Sequence, residues 1–386
     1  MILCNTFGRR QFLQTAAAGA AAAGLGCQTL ADQQRDAKRP RRRPNVVFLL
    51  ADQWRAQATG YAGDPNVKTP NLDRLAARSV NFTGAVSSCP VCSPYRGSLM
   101  TGQYPLRHGV FLNDVCLGDE SVSLAEAFSG AGYQTAYVGK WHLDGHGRSS
   151  FIPRKRRQGF EFWRAAECTH NYNRSHYYAG EDTTKRFWEG YDVVAQIEEA
   201  CRYVAGQKDR PFLLVLSWGP PHNPYQTAPE RYRKLYLPEH VKLRPNVPKE
   251  MEQQARQDLA GYYAHCSALD DCTGRILRTL GEAGLARDTI LVFTADHGDM
   301  LGSQGQIRKQ KPWDESIRVP MLFHWPAALG EKGRELRLPI NTPDLIPTLL
   351  GLCGVDVDRG VHLVGHFSVG DDNLLARDAV VGADVP

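Results

Sequence analysis

Two apolar runs in this chain end in side chains that can hold a cation. Residues 46–51 lead into Asp52 and Gln53, and residues 290–294 lead through Ala295 into Asp296 and His297, with Gly298 to permit a sharp turn. Buried parallel strands deliver the residues at their carboxyl ends to one edge of the sheet, so two such ends can converge. Together they would supply an oxygen-rich site with one imidazole, which suits Ca2+, Mg2+ or Mn2+ better than a thiolate-bound zinc. Taken alone, Asp52 reads first as a helix or turn cap, and His297 as a core or capping histidine.

A second chemical segment is Cys89-Pro90-Val91-Cys92-Ser93-Pro94-Tyr95-Arg96-Gly97-Ser98-Leu99-Met100-Thr101-Gly102. Its CxxC spacing has no thioredoxin-like surroundings, and the ten cysteines of the chain show no paired CxxC zinc pattern. Cys92, Pro94 and Arg96 do fit the C-x-P-x-R core of the sulfatase signature, and GSLMTG extends the match. Gly139-Lys140-Trp141-His142, Pro220-Pro221-His222-Asn223-Pro224-Tyr225, Asp296-His297-Gly298 and Lys309 follow in the order of further sulfatase motifs. Over residues 45–350 the chain therefore resembles the type I, formylglycine-dependent sulfatases of the alkaline phosphatase superfamily.

The resemblance implies a layered α/β fold and a sulfuric ester hydrolase that cleaves sulfate monoesters, with a sulfated carbohydrate or small molecule as substrate. Cys92 would be oxidised by a maturase to formylglycine, whose hydrate attacks sulfur with one hydroxyl and expels sulfate with the help of the other. Asp52, Gln53, Cys92, Asp296 and His297 would surround one divalent cation, Ca2+ first among the candidates. Lys140 and Lys309 would bind sulfate oxygens, and Arg96 would orient the hydrated aldehyde with its planar donor fork. His142 would help deprotonate the hydrate, and His222 would protonate the leaving alkoxide.

Two departures from the family pattern bear on substrate and metal. Many relatives carry Asp-Asp after the first strand where this chain has Asp52-Gln53, and others carry Asn where it has His297. The Asp-Gln pair also occurs in phosphonate monoester and phosphodiester hydrolases of the superfamily, which makes phosphorus esters the rival substrates. A third reading, an inactive binding module, is motivated by length: the usual C-terminal subdomain looks truncated, with 354–386 as its incomplete start.

The elements that must position these residues follow from pattern. Apolar runs at 46–51, 135–138, 212–217, 290–294 and 319–323 read as buried parallel strands. Helical patterns at 72–79, 124–131, 193–205, 253–283 and 343–352 alternate with them, which predicts a mostly parallel central sheet flanked by helices. Residues 145–190, rich in Arg, Tyr, Trp and His, interrupt the alternation and read as an insertion or long loop. A catalytic domain over 45–353 results.

Composition sets the remaining bounds. The 386 residues are 42% hydrophobic, enough for a large core, and carry a formal charge of +5. Residues 1–44 hold eight Lys/Arg and two acids, so the rest balances 38 basic against 39 acidic residues. That near-neutrality gives no ground for expecting a nucleic-acid partner. Arg9-Arg10-Gln11-Phe12-Leu13 and the Ala/Gly run after it resemble a twin-arginine export signal over 1–31, followed by a basic, Pro-rich linker at 32–44. Passage through the twin-arginine translocon to the periplasm or beyond is the expectation, with Cys27 a weak match to a lipoprotein site.

Overall fold

The computed structural model describes residues 43–207 and 209–355. The expected export signal, Cys27, nearly all of the linker and residues 356–386 lie outside them. Described strands are β1 (Asn45–Asp52), β2 (Val80–Val86), β3 (Gln134–Lys140), β4 (Phe162–Ala166), β5 (His176–Ala179), β6 (Asp182–Phe187), β7 (Phe212–Pro221), β8 (Thr289–Ala295), β9 (Met321–His324) and β10 (Arg334–Asn341). They form one sheet in the order β10-β2-β9-β8-β1-β7-β3-β4-β5-β6.

The centre of the sheet is parallel: β8, β1, β7, β3 and β4 all run the same way. Every residue of β1, β7 and β8 is buried, as expected for strands covered on both faces and as their unbroken apolar runs predict. The run at 319–323 differs from expectation. It forms β9, which pairs antiparallel with both β8 and β2. Burial on both faces makes a parallel and an antiparallel strand look alike in sequence, so periodicity could not give its direction. Residues 145–190 are not simply a loop: they contribute β4 alongside β3 and then the antiparallel hairpin β5–β6 at the sheet's edge.

Longer helices lie on both sides of the sheet: α1 (Pro70–Ala76), α2 (Cys92–Thr101), α3 (Leu124–Gly130), α4 (Asp192–Ala205), α5 (Glu252–Glu282) and α6 (Leu345–Leu352). In α4, Val193, Ile197, Ala200 and Val204 recur at helical spacing and are fully buried, so one stripe packs against β7 and α5. α5 repeats this over 31 residues with Leu259, Tyr262, Cys266, Leu269, Thr273, Ile276 and Leu280 turned inward. α2 is different: all ten of its residues are buried.

Candidate active site

β1 and β8 are neighbours in register, with Ala51 opposite Ala295, so Asp52 and Asp296 emerge side by side. The two strand ends are tied together. The Asp296 amide donates to the Ala51 carbonyl at 3.1 Å, and the Gln53 amide donates to Asp296 Oδ1 at 2.9 Å. Gln53 turns the chain away at φ 68°. Its side-chain amide has an orientation set by partners. Nε2 donates to Asp299 Oδ2 at 2.6 Å, which leaves Oε1 to accept from Lys309 Nζ at 2.8 Å and to face the cluster.

Cys92 opens α2, whose first turn presents the positive end of the helix dipole to the same place. Its Sγ lies 3.6 Å from Asp52 Oδ1, 3.4 Å from His297 Nε2 and 3.4 Å from Lys309 Nζ. Burial, reinforced by Asp52, pushes the thiol up from its ordinary range. Cys89 and Cys92 are both free thiols, so their CxxC spacing makes no disulfide.

One turn along α2, Arg96 spans the sheet. Nη1 donates to the Lys140 carbonyl at 2.9 Å and to Ser217 Oγ at 2.7 Å, while Nη2 pairs with Asp52 at 3.3 Å and Asp296 at 3.1 Å. β3 approaches β7 closely enough to allow this because Gly139, at φ 104°, has no Cβ to collide with the Ser217 carbonyl. Lys140 ends β3 with Nζ 2.5 Å from Asp52 Oδ2. Asp52 is fully buried, and burial alone would raise its carboxyl. Lys140, His222, Lys309 and Arg96 outweigh that and hold it well below the usual carboxylate range.

Asp52, Cys92, Asp296 and His297 each bring one ligand atom within 4.8 Å of the others. Two carboxylates, an imidazole, the Cys92 position and the Gln53 carbonyl make a donor set that fits a hard divalent cation. His297 is held in place through Nδ1, 2.9 Å from the Gly298 carbonyl, which leaves Nε2 toward the cluster.

The two remaining histidines stand outside this knot. His222 follows β7; its Nδ1 lies 2.8 Å from the Asn223 carbonyl, and its ring stacks on His170 at 4.6 Å with 5° between planes. Burial, then Lys309 and Lys140, pushes His222 well below its usual range despite the opposing charge of Asp52. His142 pairs through Nε2 with Asp114 at 3.1 Å, and its Nδ1 is buried with no hydrogen-bond partner among the described residues.

All ten residues singled out from sequence thus gather at the carboxyl ends of β1, β3, β7 and β8 or reach there from α2 and the loop holding Lys309. Four others were not foreseen as site residues: Ser217, Asp114, Asp299 and Tyr225. Asp299 lies only three residues beyond Asp296, and Tyr225 closes the PPHNPY segment. Both therefore sat inside segments already marked. Asp114 lies in a segment whose pattern carried no such mark, whereas His170 falls in the Tyr- and His-rich stretch within 145–190 that could line a sugar site or pack at a surface.

A sulfatase family model matches residues 44–355. The chain belongs to the sulfatase family. It is 49% identical over 324 residues to the ulvan-active sulfatase of Formosa agariphila, covering 83% of this chain and 63% of that protein. The Bacteroides thetaiotaomicron endo-4-O-sulfatase is 31% identical over 360 residues, 81% of this chain and 70% of its own length. A solved Bacteroides thetaiotaomicron structure concerned with glycosaminoglycan metabolism superposes with a TM-score of 0.76 at 30% identity, over 81% of this chain and 73% of the other.

Proposed function

We propose that this chain hydrolyses sulfate monoesters on sulfated polysaccharides, with Cys92 as the precursor of a formylglycine. The observation that carries this is Cys92 itself: buried at the N-terminus of α2, it touches Asp52, His297 and Lys309 at once. The 49% identity to a protein named as an ulvan-active sulfatase supports a polysaccharide substrate. A divalent cation, with Ca2+ the leading candidate, would be held by Asp52, Gln53, Asp296, His297 and the residue at 92, and would supply Lewis-acid polarisation of the sulfate. Once converted, residue 92 would supply a hydroxyl nucleophile on a hydrated aldehyde.

The protein's own side chains divide the remaining work. Lys140 and Lys309 flank the site and bind the sulfate oxygens. Arg96, anchored to Ser217 and two carboxylates, fixes the orientation of residue 92 rather than titrating. His142, polarised by Asp114, takes the proton from the hydrate. His222 gives one to the leaving alkoxide. In the resting site nearby lysine charges help keep His222 neutral, and a bound sulfate anion offsets them, which brings the ring back toward protonation as substrate enters.

The decisive experiment measures sulfate release from a panel of sulfated saccharides by protein of known formylglycine content. Aryl sulfate, aryl phosphonate and phosphodiester substrates are run in parallel. Preference for a sulfate ester is expected. Faster turnover of the phosphorus esters would assign the chain to the phosphonate and phosphodiester hydrolases instead, the reading that Gln53 leaves open. We propose also that the chain leaves the cytoplasm folded through the twin-arginine translocon, after a maturase has acted on Cys92. An intact Cys92 thiol in the mass spectrum of exported protein would refute that order of events.

A further inference from the structure

At the end of the sheet opposite the catalytic residues, a groove of about 1030 Å3 opens among α1, α5 and the segment following β9. Strand direction fixes its place. β1 and β8 run together from Asn45 and Thr289 toward Asp52 and Asp296, so Ala286 and Arg287 precede them at the amino-terminal edge. β9 runs the other way and brings His324 to that edge, as does the start of β2 just after Arg78. An eight-residue strand spans roughly 25 Å, which separates the groove from the active site by about the depth of the sheet.

Four arginines line the groove, Arg74, Arg78, Arg278 and Arg287, together with His324, and Glu331 is the one acid among the lining residues. Glu331 pairs with Arg78, whereas Arg278 and Arg287 have no ion pair among the described residues. Nearby acids are turned away. Asp73 accepts from the Tyr61 amide at 2.8 Å, and Asp270 accepts from the amides of Asn71 and Leu72 at 3.1 and 2.7 Å. Further along α5 the surface continues past Arg275 and Arg231, but Glu198, Asp271 and Glu282 intervene there. The positive excess is therefore local, in a chain that is otherwise balanced beyond residue 44.

Guanidinium forks match oxyanions in geometry as well as charge. Leu75, Leu277 and Ala286 add apolar surface of the kind that packs against the C–H faces of sugars. No Phe, Tyr or Trp lines the groove, so it lacks the stacking platforms by which proteins hold single-stranded nucleic acid.

We propose that this groove is a second, non-catalytic site for a sulfated polysaccharide, which tethers the enzyme to the polymer while the catalytic residues act on sulfates elsewhere. The proposal rests on the sulfate-ester reading of the active site. Tethering raises the effective concentration of further sulfates without changing the chemistry at any one of them.

The test uses the full, formylglycine-containing chain on immobilised dextran sulfate, comparing it with Arg278→Ala/Arg287→Ala. The same pair is compared in a Lys309→Ala background, so that binding at the catalytic site does not mask the groove. We expect the double variant to bind about tenfold more weakly and with a shallower salt dependence. Its kcat/KM on 4-nitrophenyl sulfate should stay within about twofold of the parent, while KM on a sulfated polymer rises. Unchanged affinity for dextran sulfate in both backgrounds would overturn the proposal. So would weakened binding of single-stranded DNA with dextran sulfate unaffected, which would make this a nucleic-acid face. Binding needs no turnover, so a chain that cleaves no sulfate ester would sink the active-site reading and leave the groove to be judged on its own affinities.

Discussion

His142 Nε2 lies 3.1 Å from Asp114 Oδ1, and Arg148 grips the same carboxylate at 3.0 Å through Nε and 2.8 Å through Nη2. Arg148, acting before His142, holds the Asp114 carboxyl down at about 2, so it is ionised at neutral pH. An ionised acceptor at Nε2 favours the tautomer with its proton there and leaves the buried Nδ1 as the basic nitrogen. Asp114 is thus a positioning residue for the group assigned to proton removal.

Asp114→Asn should therefore lower kcat on aryl sulfates by about 10- to 100-fold with little change in KM, a loss of the size that follows removal of the outer partner of a metal-bound histidine. Steady-state kinetics across pH checks it, with Asp114→Glu expected to recover part of the loss. A variant that loses only thermal stability at unchanged kcat would show that the pair is structural.

The cation site predicts a stability response that is independent of turnover. Asp52 and Asp296 are fully buried, and both pair with Arg96 while Asp52 also pairs with Lys140. A cation that binds the folded chain alone should stabilise it by about 2.7 kcal/mol at one hundred times its Kd. Calcium should thus raise Tm in a concentration-dependent way, chelator should reverse it, and Asp296→Ala should abolish the shift. A calcium response that survives Asp296→Ala would place the ion elsewhere.

What could be read before the structure divides along burial. β1, β7 and β8 are buried on both faces, so their composition alone marks them as strands. β6 is almost wholly exposed, and in β10 only Ile340 is buried. Their pairing comes from the sheet edge rather than from apolar content, so they leave no run to find. The site divides in the same way. Asp52, Lys140, His222 and Asp296 follow buried strands or sit in recognisable motifs. Asp114 reaches His142 from a loop at φ 64°, and Ser217 takes its role from being opposite Gly139 in the sheet. Those are relations between distant segments, which no local pattern encodes.

Asp192, the first residue of α4, is fully buried, and burial pushes its carboxyl up to about 7 against the bonds from Ser175 and the Val193 amide. A folded-state value above the unfolded 3.8 means that the native state holds the proton more tightly. Its contribution to stability is present below about pH 4 and is lost as pH rises toward 7, on the order of a few kcal/mol in all. Asp192→Asn keeps the neutral shape at every pH. The variant's Tm advantage over the parent should widen between pH 4 and 7 and then level off. A difference that does not change with pH would mean that Asp192 does not titrate in this range.

His222 offers the sharpest test of the catalytic assignment, because the need for a proton depends on what leaves. A nitrophenolate departs unaided, whereas a sugar alkoxide must be protonated as the bond breaks. His222→Ala should therefore cost about 10^2- to 10^4-fold in kcat on a saccharide sulfate and far less on 4-nitrophenyl sulfate. The pH profile should agree. A general acid works only when protonated, so rate falls as pH rises through its pKa. In the free protein burial, Lys309 and Lys140 push the ring well below its usual range. With sulfate bound against those lysines the shift is partly undone. The falling limb of kcat on the saccharide should then lie at higher pH than that of kcat/KM, since the first reports the complex and the second the free enzyme. Equal losses on both leaving groups, with coincident limbs, would remove His222 from the acid's role and leave it as a substrate-binding residue stacked on His170.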